Sequence, residues 1–173
     1  NVTGQNNTWV GFKAGLGASG QSNSNNVGVG ASALVDITTG TYNTVVGSSA
    51  GFELKAGAFN SVFGYEALKN EDTYGKNTAI GAQALFTQNA GSDGFNTAVG
   101  FQAGAAITTG VSNTIVGALA GDGLEDVDSI VAIGEAALSG AATQDGTVAI
   151  GASALSVLTS GTGNTAVGYQ SMD

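Results

Sequence analysis

The densest group of side chains that could bind a ligand is a run of carboxylates at 122–128, formed by Asp122, Glu125, Asp126 and Asp128. Carboxylate oxygens on a loop suit Ca²⁺, which takes six to eight oxygen ligands. The run lacks both the twelve-residue EF-hand pattern and the glycine-rich nonapeptide of calcium-binding β-rolls. The sequence therefore offers Ca²⁺ as the one cofactor to consider, with a solvated acidic turn as the simpler interpretation.

Other chemistry is restricted by composition. The chain has no His and no Cys, so neither a Ser-His-Asp triad nor a thiolate or imidazole metal site can be built. Ser and Asp are common, but no general base stands near a nucleophile in any repeated register, and we expect no enzyme activity. A net charge of −9 argues against nucleic acid as a partner. The apolar runs are too short for insertion into a membrane.

A tandem repeat dominates the chain. Ten glycines close the same short phrase, whose best copies contain Asn-Thr-Ala-Val-Gly, and they are spaced mostly by 17 residues: Gly11, Gly30, Gly47, Gly64, Gly81, Gly100, Gly117, Gly134, Gly151 and Gly168. A strict short period indicates one supersecondary unit stacked on itself. The sequence predicts an all-β fold, a parallel β-solenoid of about ten 17-residue coils. All of 1–173 then forms one repeat segment, which we expect to belong to a longer fibre.

Each repeat is expected to contain two strands and two turns. The phrase before the glycine is rich in strand-forming residues, whose side chains alternate between two faces. A second strand is predicted near a fixed Ala, and it would include Ile37, Leu54, Ile107, Leu124 and Leu158. Parallel coils stack about 4.8 Å apart, so the rod would be on the order of 45 Å long.

The faces of the first strand decide where partners bind. Val131 and Val148 replace Thr at the second position of the phrase, which suggests that the second and fourth positions point into the coil. The third position then lies outside, yet it is apolar, and a strand apolar on both faces is buried on both. We therefore expect a homotrimer whose contact is lined by the third-position residues, which are Val45, Val62, Ala79, Ala98, Ile115, Ala132, Ala149 and Ala166.

The first and last positions of the phrase predict structural roles. Asn at a fixed turn position bonds nearby amides, and stacked Asn side chains can form a ladder along the axis. Glycine after a strand indicates positive φ or close backbone approach. The residues assigned to this ladder and turn are Asn43, Asn60, Asn77, Asn96, Asn113, Gly47, Gly64, Gly81, Gly100 and Gly117.

The repeats resemble those of phage tail-fibre and bacterial fibre proteins. The closest copies are Asn96–Gly104 and Asn164–Ser171, and the phrases 38–40 and 108–110 match the linking Thr-Thr-Gly turn of those proteins. More distantly, Ser129–Gly134 resembles the Ser-Val-Ala-Ile-Gly unit of trimeric autotransporter adhesin heads. The resemblance implies parallel β-rolls, wound left-handed and packed as trimers.

Two classes of function follow. The first is a shaft or head of a phage tail fibre or surface adhesin, on a virion or at a cell surface, that supports or mediates attachment to a host cell. A receptor or glycan would then bind the variable turns at 19–25, 89–95 and 122–128. The alternative is an ice-binding β-solenoid, because Thr recurs at the second position. The expectation that this position is buried favours the fibre.

Overall fold

The computed structural model describes residues 4–17, 21–140 and 145–172, and these form a parallel β-solenoid. Ten strands make one sheet in sequence order, giving about nine turns of roughly 17 residues each, which confirms the predicted fold and one repeat per coil. The strands are β1 (Thr8–Val10), β2 (Val27–Val29), β3 (Thr44–Val46), β4 (Ser61–Phe63), β5 (Thr78–Ile80), β6 (Thr97–Val99), β7 (Thr114–Val116), β8 (Val131–Ile133), β9 (Val148–Ile150) and β10 (Thr165–Val167). Within the described ranges no helix has the length and hydropathy needed to cross a bilayer.

Every strand pairs in parallel with the next at the same repeat position. Thr97, Ala98 and Val99 of β6 lie opposite Thr114, Ile115 and Val116 of β7. Side chains of one repeat position therefore form a straight column along the rod, and all nine strand pairings share this register. The size, charge or polarity of the residues at one repeat position therefore becomes a property of a whole surface of the rod.

The prediction of a second strand in each coil is wrong. In the described residues, the segment after the glycine is a chain of turns in which residues with positive φ alternate with ordinary ones, as at Gln83 (φ 57°) and Leu85 (φ 50°). This return segment still stacks coil on coil, since the Leu68 amide donates to the Ala84 carbonyl at 3.0 Å. Ile37, Leu54, Ile107 and Leu124 are fully buried there, and Leu158 packs against the core. Their apolar character reflects core packing rather than strand formation.

The glycine that closes each strand is required by the backbone, as predicted. Gly64 has a φ of 144°, and a Cβ there would overlap the carbonyl oxygen of Gly81 in the next coil. Such a φ is strained for any residue with a side chain. The same conformation recurs at Gly47, Gly81, Gly100 and Gly117.

The core is filled by pairing residue sizes across the coil. In three coils a large residue at the third position of the phrase goes with Gly at the fourth residue after the closing glycine, as in Val45 with Gly51 and Ile115 with Gly121. The coil of Val62 is the exception, because it holds Leu68 at that site. A Cβ on Gly121 would lie 3.3 Å from Ile115 Cδ1. Where the third position is Ala, this site usually holds Leu, and Leu138 is fully buried although its φ is 51°. Burying a Leu contributes roughly 1.5–3 kcal/mol, which offsets a similar cost for the left-handed backbone.

Candidate assembly face

The third-position side chains point into the coil, which overturns the predicted trimer contact. Ala79, Ala98, Ile115, Ala132 and Ala149 are fully buried in the single chain. The remaining three, Val45, Val62 and Ala166, are between 0% and 4% exposed. These residues are the core of one rod and cannot contact a second one. The prediction failed because the second position was assigned to the interior on the strength of a few Val residues.

The second and fourth positions therefore form the outer face of the sheet, called here the strand face. Its second-position column is Thr8, Val27, Thr44, Ser61, Thr78, Thr97, Thr114, Val131, Val148 and Thr165. Its fourth-position column is Val10, Val29, Val46, Phe63, Ile80, Val99, Val116, Ile133, Ile150 and Val167. All of these residues are exposed or half-buried, and none carries a charge. The face is a narrow, uncharged strip along the rod.

Large apolar side chains project from this strip. Phe63 is 60% exposed and Ile80 is 41% exposed, although neighbouring coils cover them from both sides. Just past the closing glycine, Tyr65 and Phe101 are also more than half exposed. A continuous column of exposed apolar side chains is typical of a surface that another molecule covers.

A second exposed column lies just before the Asn ladder. The rings of Tyr42 and Phe59 stack with centroids 5.1 Å apart and planes 4° apart, and Lys76 lies over the Phe95 ring at 4.9 Å from its centroid. Because the rings of Tyr42 and Phe59 stack on each other, a face of each is already used for coil-to-coil contact. This column stabilises the stacking of coils along the rod.

The predicted Asn ladder is present and buried. Asn60 donates from its backbone N to Asn43 Oδ1 at 3.0 Å, and its own Oδ1 accepts from the Asn77 backbone N at 3.0 Å. The same link joins Asn96 and Asn113. At Ile130 the ladder loses its side-chain amide, although the Ile130 backbone N still donates to Asn113 Oδ1. The ladder ties successive coils together at the start of each strand.

The four carboxylates proposed for Ca²⁺ are not brought together. Asp126 accepts hydrogen bonds from the hydroxyls of Thr108 and Thr109, and these lower its pKa. Asp128 accepts from the Val111 backbone N at 2.7 Å, whereas partial burial raises the pKa of Asp122. In the described ranges no group of three or more acidic, His or Cys side chains could hold a metal ion, Glu125 included. The acidic turn instead braces the neighbouring coil.

The long turns proposed for a receptor contain five carboxylates, which are Asp93, Asp122, Glu125, Asp126 and Asp128. Lys76 pairs with Asp93 at 2.6 Å in one of them. In the turn at 19–25, residues 19 and 20 lie outside the described residues. The two columns of the strand face carry no charge, although the exposed Glu135 follows Gly134 in the slot that Tyr65 and Phe101 occupy in other coils.

Comparison of the chain with protein-family models, with curated proteins and with solved structures gives no match.

Proposed function

We propose that this chain is a structural segment of a surface fibre, in which the strand faces of three copies pack against one another. The observation that carries the proposal is the fourth-position column, which places an uncharged strip of Val, Ile and Phe on the outside of the rod. An isolated chain leaves this strip in water. Burial of apolar surface contributes about 25 cal/mol per Å², so packing against copies of the same strip is strongly favoured.

Three copies are preferred for two reasons, which are the shape of the strip and the resemblance of the repeat to that of trimeric adhesin heads. A strip that is two side chains wide and runs along a rod can face a common axis, which leaves the charged turns of every copy in solvent. Identical chains generally assemble with closed symmetry. The Val131-Ala132-Ile133 strand resembles the repeat unit of trimeric adhesin heads, and its outward residues are Val131 and Ile133.

In this proposal the rod supports or mediates attachment to a host cell, from a virion tail fibre or a cell surface. Rigidity comes from the Asn ladder and the buried core, which includes Leu124 and Val127, and only the exposed residues of the turns at 89–95 and 122–128 can differ in sequence. Such turns are where a receptor or glycan would bind, because changes there leave the packed columns intact.

An ice-binding solenoid is the second candidate, and the orientation of the strand favours it more than the sequence did. The second-position column points outward, and Thr44, Thr97 and Thr114 stand on it with hydroxyls available to water. Regular Thr on a flat, uncharged face is what an ice surface requires. The Thr column is not buried, since its residues are exposed or half-buried. Against this candidate, Phe63 and Ile80 project from the neighbouring column.

One measurement separates the two candidates. We expect analytical ultracentrifugation of the chain to give three times the 16.8 kDa mass of one copy, with no thermal hysteresis in an ice-growth assay. A monomer that slows ice growth, and loses this effect in the variant Thr97→Lys/Thr114→Lys, would replace the fibre with the ice-binding function. A monomer without effect on ice would contradict both.

A further inference from the structure

Two polar residues interrupt a column of the core that is otherwise aliphatic. Among the described residues, the seventh residue after the closing glycine in the other coils is the fully buried Ile37, Leu54, Ile107 or Leu124, or the half-buried Leu158. In coil four (residues 61–77) it is Glu71, and in coil five (78–96) it is Gln88. Both residues are fully buried as well. A buried carboxyl in the middle of a rod is costly unless all of its atoms find partners.

Gln88 finds them. Its Oε1 accepts from Asn96 Nδ2 at 2.9 Å, and Asn96 is the ladder residue at the end of the same coil. The Asn96 amide also donates to the Gly110 carbonyl at 2.8 Å. In coil five the polar residue and the ladder therefore satisfy each other.

Coil four contains the equivalent pair without the bond. Glu71 and Asn77 occupy the repeat positions of Gln88 and Asn96, but Glu71 Oε2 and Asn77 Nδ2 are both buried without a hydrogen-bond partner. Glu71 Oε1 accepts from the Tyr74 backbone N at 3.2 Å. Asn77 and Glu71 therefore each have one buried side-chain atom without a hydrogen bond, and both residues lie in coil four.

Burial and nearby charges determine the pH at which Glu71 loses its proton. Burial raises the pKa of Glu71 to about 7, and Asp72 adds a smaller repulsion in the same direction, while backbone amides at Tyr74, Ala90 and Asp72 oppose the rise. Asp72 itself is paired with Lys55 at 3.1 Å. The other ionic groups of these coils, Lys69 with Glu66 and Lys76 with Asp93, are paired with each other.

We propose that Glu71 makes coils four and five a pH-sensitive joint of the rod, closed while its carboxyl is protonated and opening more readily once the carboxylate forms. When this part of the rod opens, Glu71 is solvated and loses its proton near its ordinary pKa of 4.5, whereas in the closed rod it keeps the proton until about pH 7. Between these two values the closed form binds more protons, so its stability falls as pH rises. Below pH 4.5 the stability is fully present, and above pH 7 the loss is complete.

Hydrogen exchange resolved by residue tests this on the full chain. We expect the opening equilibrium of coils four and five, read from the Tyr74 and Lys76 amides after correction for intrinsic exchange, to increase by about two orders of magnitude between pH 4.5 and 7.5. In Glu71→Gln the increase should disappear, because this variant is neutral at every pH. A wild-type profile that matches that of Glu71→Gln would overturn the proposal.

A second variant keeps the test independent of any simple loss of stability. In Glu71→Gln/Gln88→Glu the carboxyl moves one coil along the same column, where Asn96 Nδ2 can donate to it. We expect the pH dependence to return, weakened by that bond and centred on coil five. If the pH dependence of coil four persists in the double variant, Glu71 is not its source. If carbon NMR of the wild-type Glu71 carboxyl shows titration near 4.5, the proposal also fails.

Discussion

The indole ring of Trp9 occupies the space that a side chain at Gly28 would take. Both residues occupy the third position of the phrase, which is the middle residue of β1 and of β2. They lie opposite each other in the sheet. A Cβ on Gly28 would be 2.7 Å from the ring atoms Cε3 and Cζ3 of Trp9, and one on Gly15 would also meet the ring. The indole ring of Trp9 therefore fills the interior of the first described coil and packs against Gly15 and Gly28.

We expect Gly28→Val to destabilise the rod by about 1–3 kcal/mol, the usual cost of overpacking, although Val fits the same position at Val45. In the background Trp9→Ala the same substitution should be tolerated, because the ring is gone. Urea unfolding of the two single variants and the double variant measures the coupling, which we expect at about 0.5–3 kcal/mol. Additive effects would mean that the ring and the glycine do not depend on each other.

The pairing of sizes across the core predicts a rescue. Ile115→Ala should cost about 2–5 kcal/mol, because it leaves a cavity beside Gly121. Adding Gly121→Leu recreates the Ala132 and Leu138 combination of the next coil, in which Leu accepts a φ of 51°. We expect the double variant to recover part of the loss in thermal unfolding. Gly121→Leu alone should destabilise the chain, because Ile115 Cδ1 already fills the space. A double variant less stable than either single one would refute this account of the core.

The Asn ladder should be sensitive to a single gap. Asn60→Ala removes the acceptor of the Asn77 backbone N, and an unsatisfied buried donor costs about 1–3 kcal/mol. The matched control is Asn89→Ala, since Asn89 is exposed and lacks a positive φ, and its effect should stay within about 0.5 kcal/mol. Urea midpoints of the two variants provide the comparison. Equal midpoints would show that the ladder adds no stability beyond that of a surface Asn.

Periodicity was sufficient to predict the coil, its length and its order. The constant glycine spacing and the Asn column each have a single physical explanation, and both the parallel stacking and the ladder from Asn43 to Asn113 are as expected. A strict repeat fixes register because any other pairing would break every column at once.

The same sequence did not decide which face of the strand points inward. In the strand Thr97–Val99, both the third and the fourth positions of the phrase are apolar, and these are Ala98 and Val99. Because they lie on opposite faces, the alternation of side chains allows either face to point inward. Size was the missed signal. The inside of a 17-residue coil is narrow, so the third position of the phrase is Ala or Gly in six of its ten copies and larger in four, whereas the outward fourth position is always Val, Ile or Phe. Glu71 was missed for a related reason, because a single carboxyl in a turn looks solvated until its column is known to be core.

In the proposed assembly the strand face, and not the third position of the phrase, joins the copies of the rod. Ala98 and Val99 are neighbours in β6 with opposite orientation, so the same substitution at each gives a matched pair. We expect Ala98→Asp/Ile115→Asp to abolish the β-sheet circular dichroism, because it buries unpaired charges inside the coil. We expect Val99→Asp/Val116→Asp to keep that signal while its sedimentation mass falls from three copies to one. A Val99→Asp/Val116→Asp variant that remains trimeric, with the melting temperature of the wild type, would contradict the assembly proposed here.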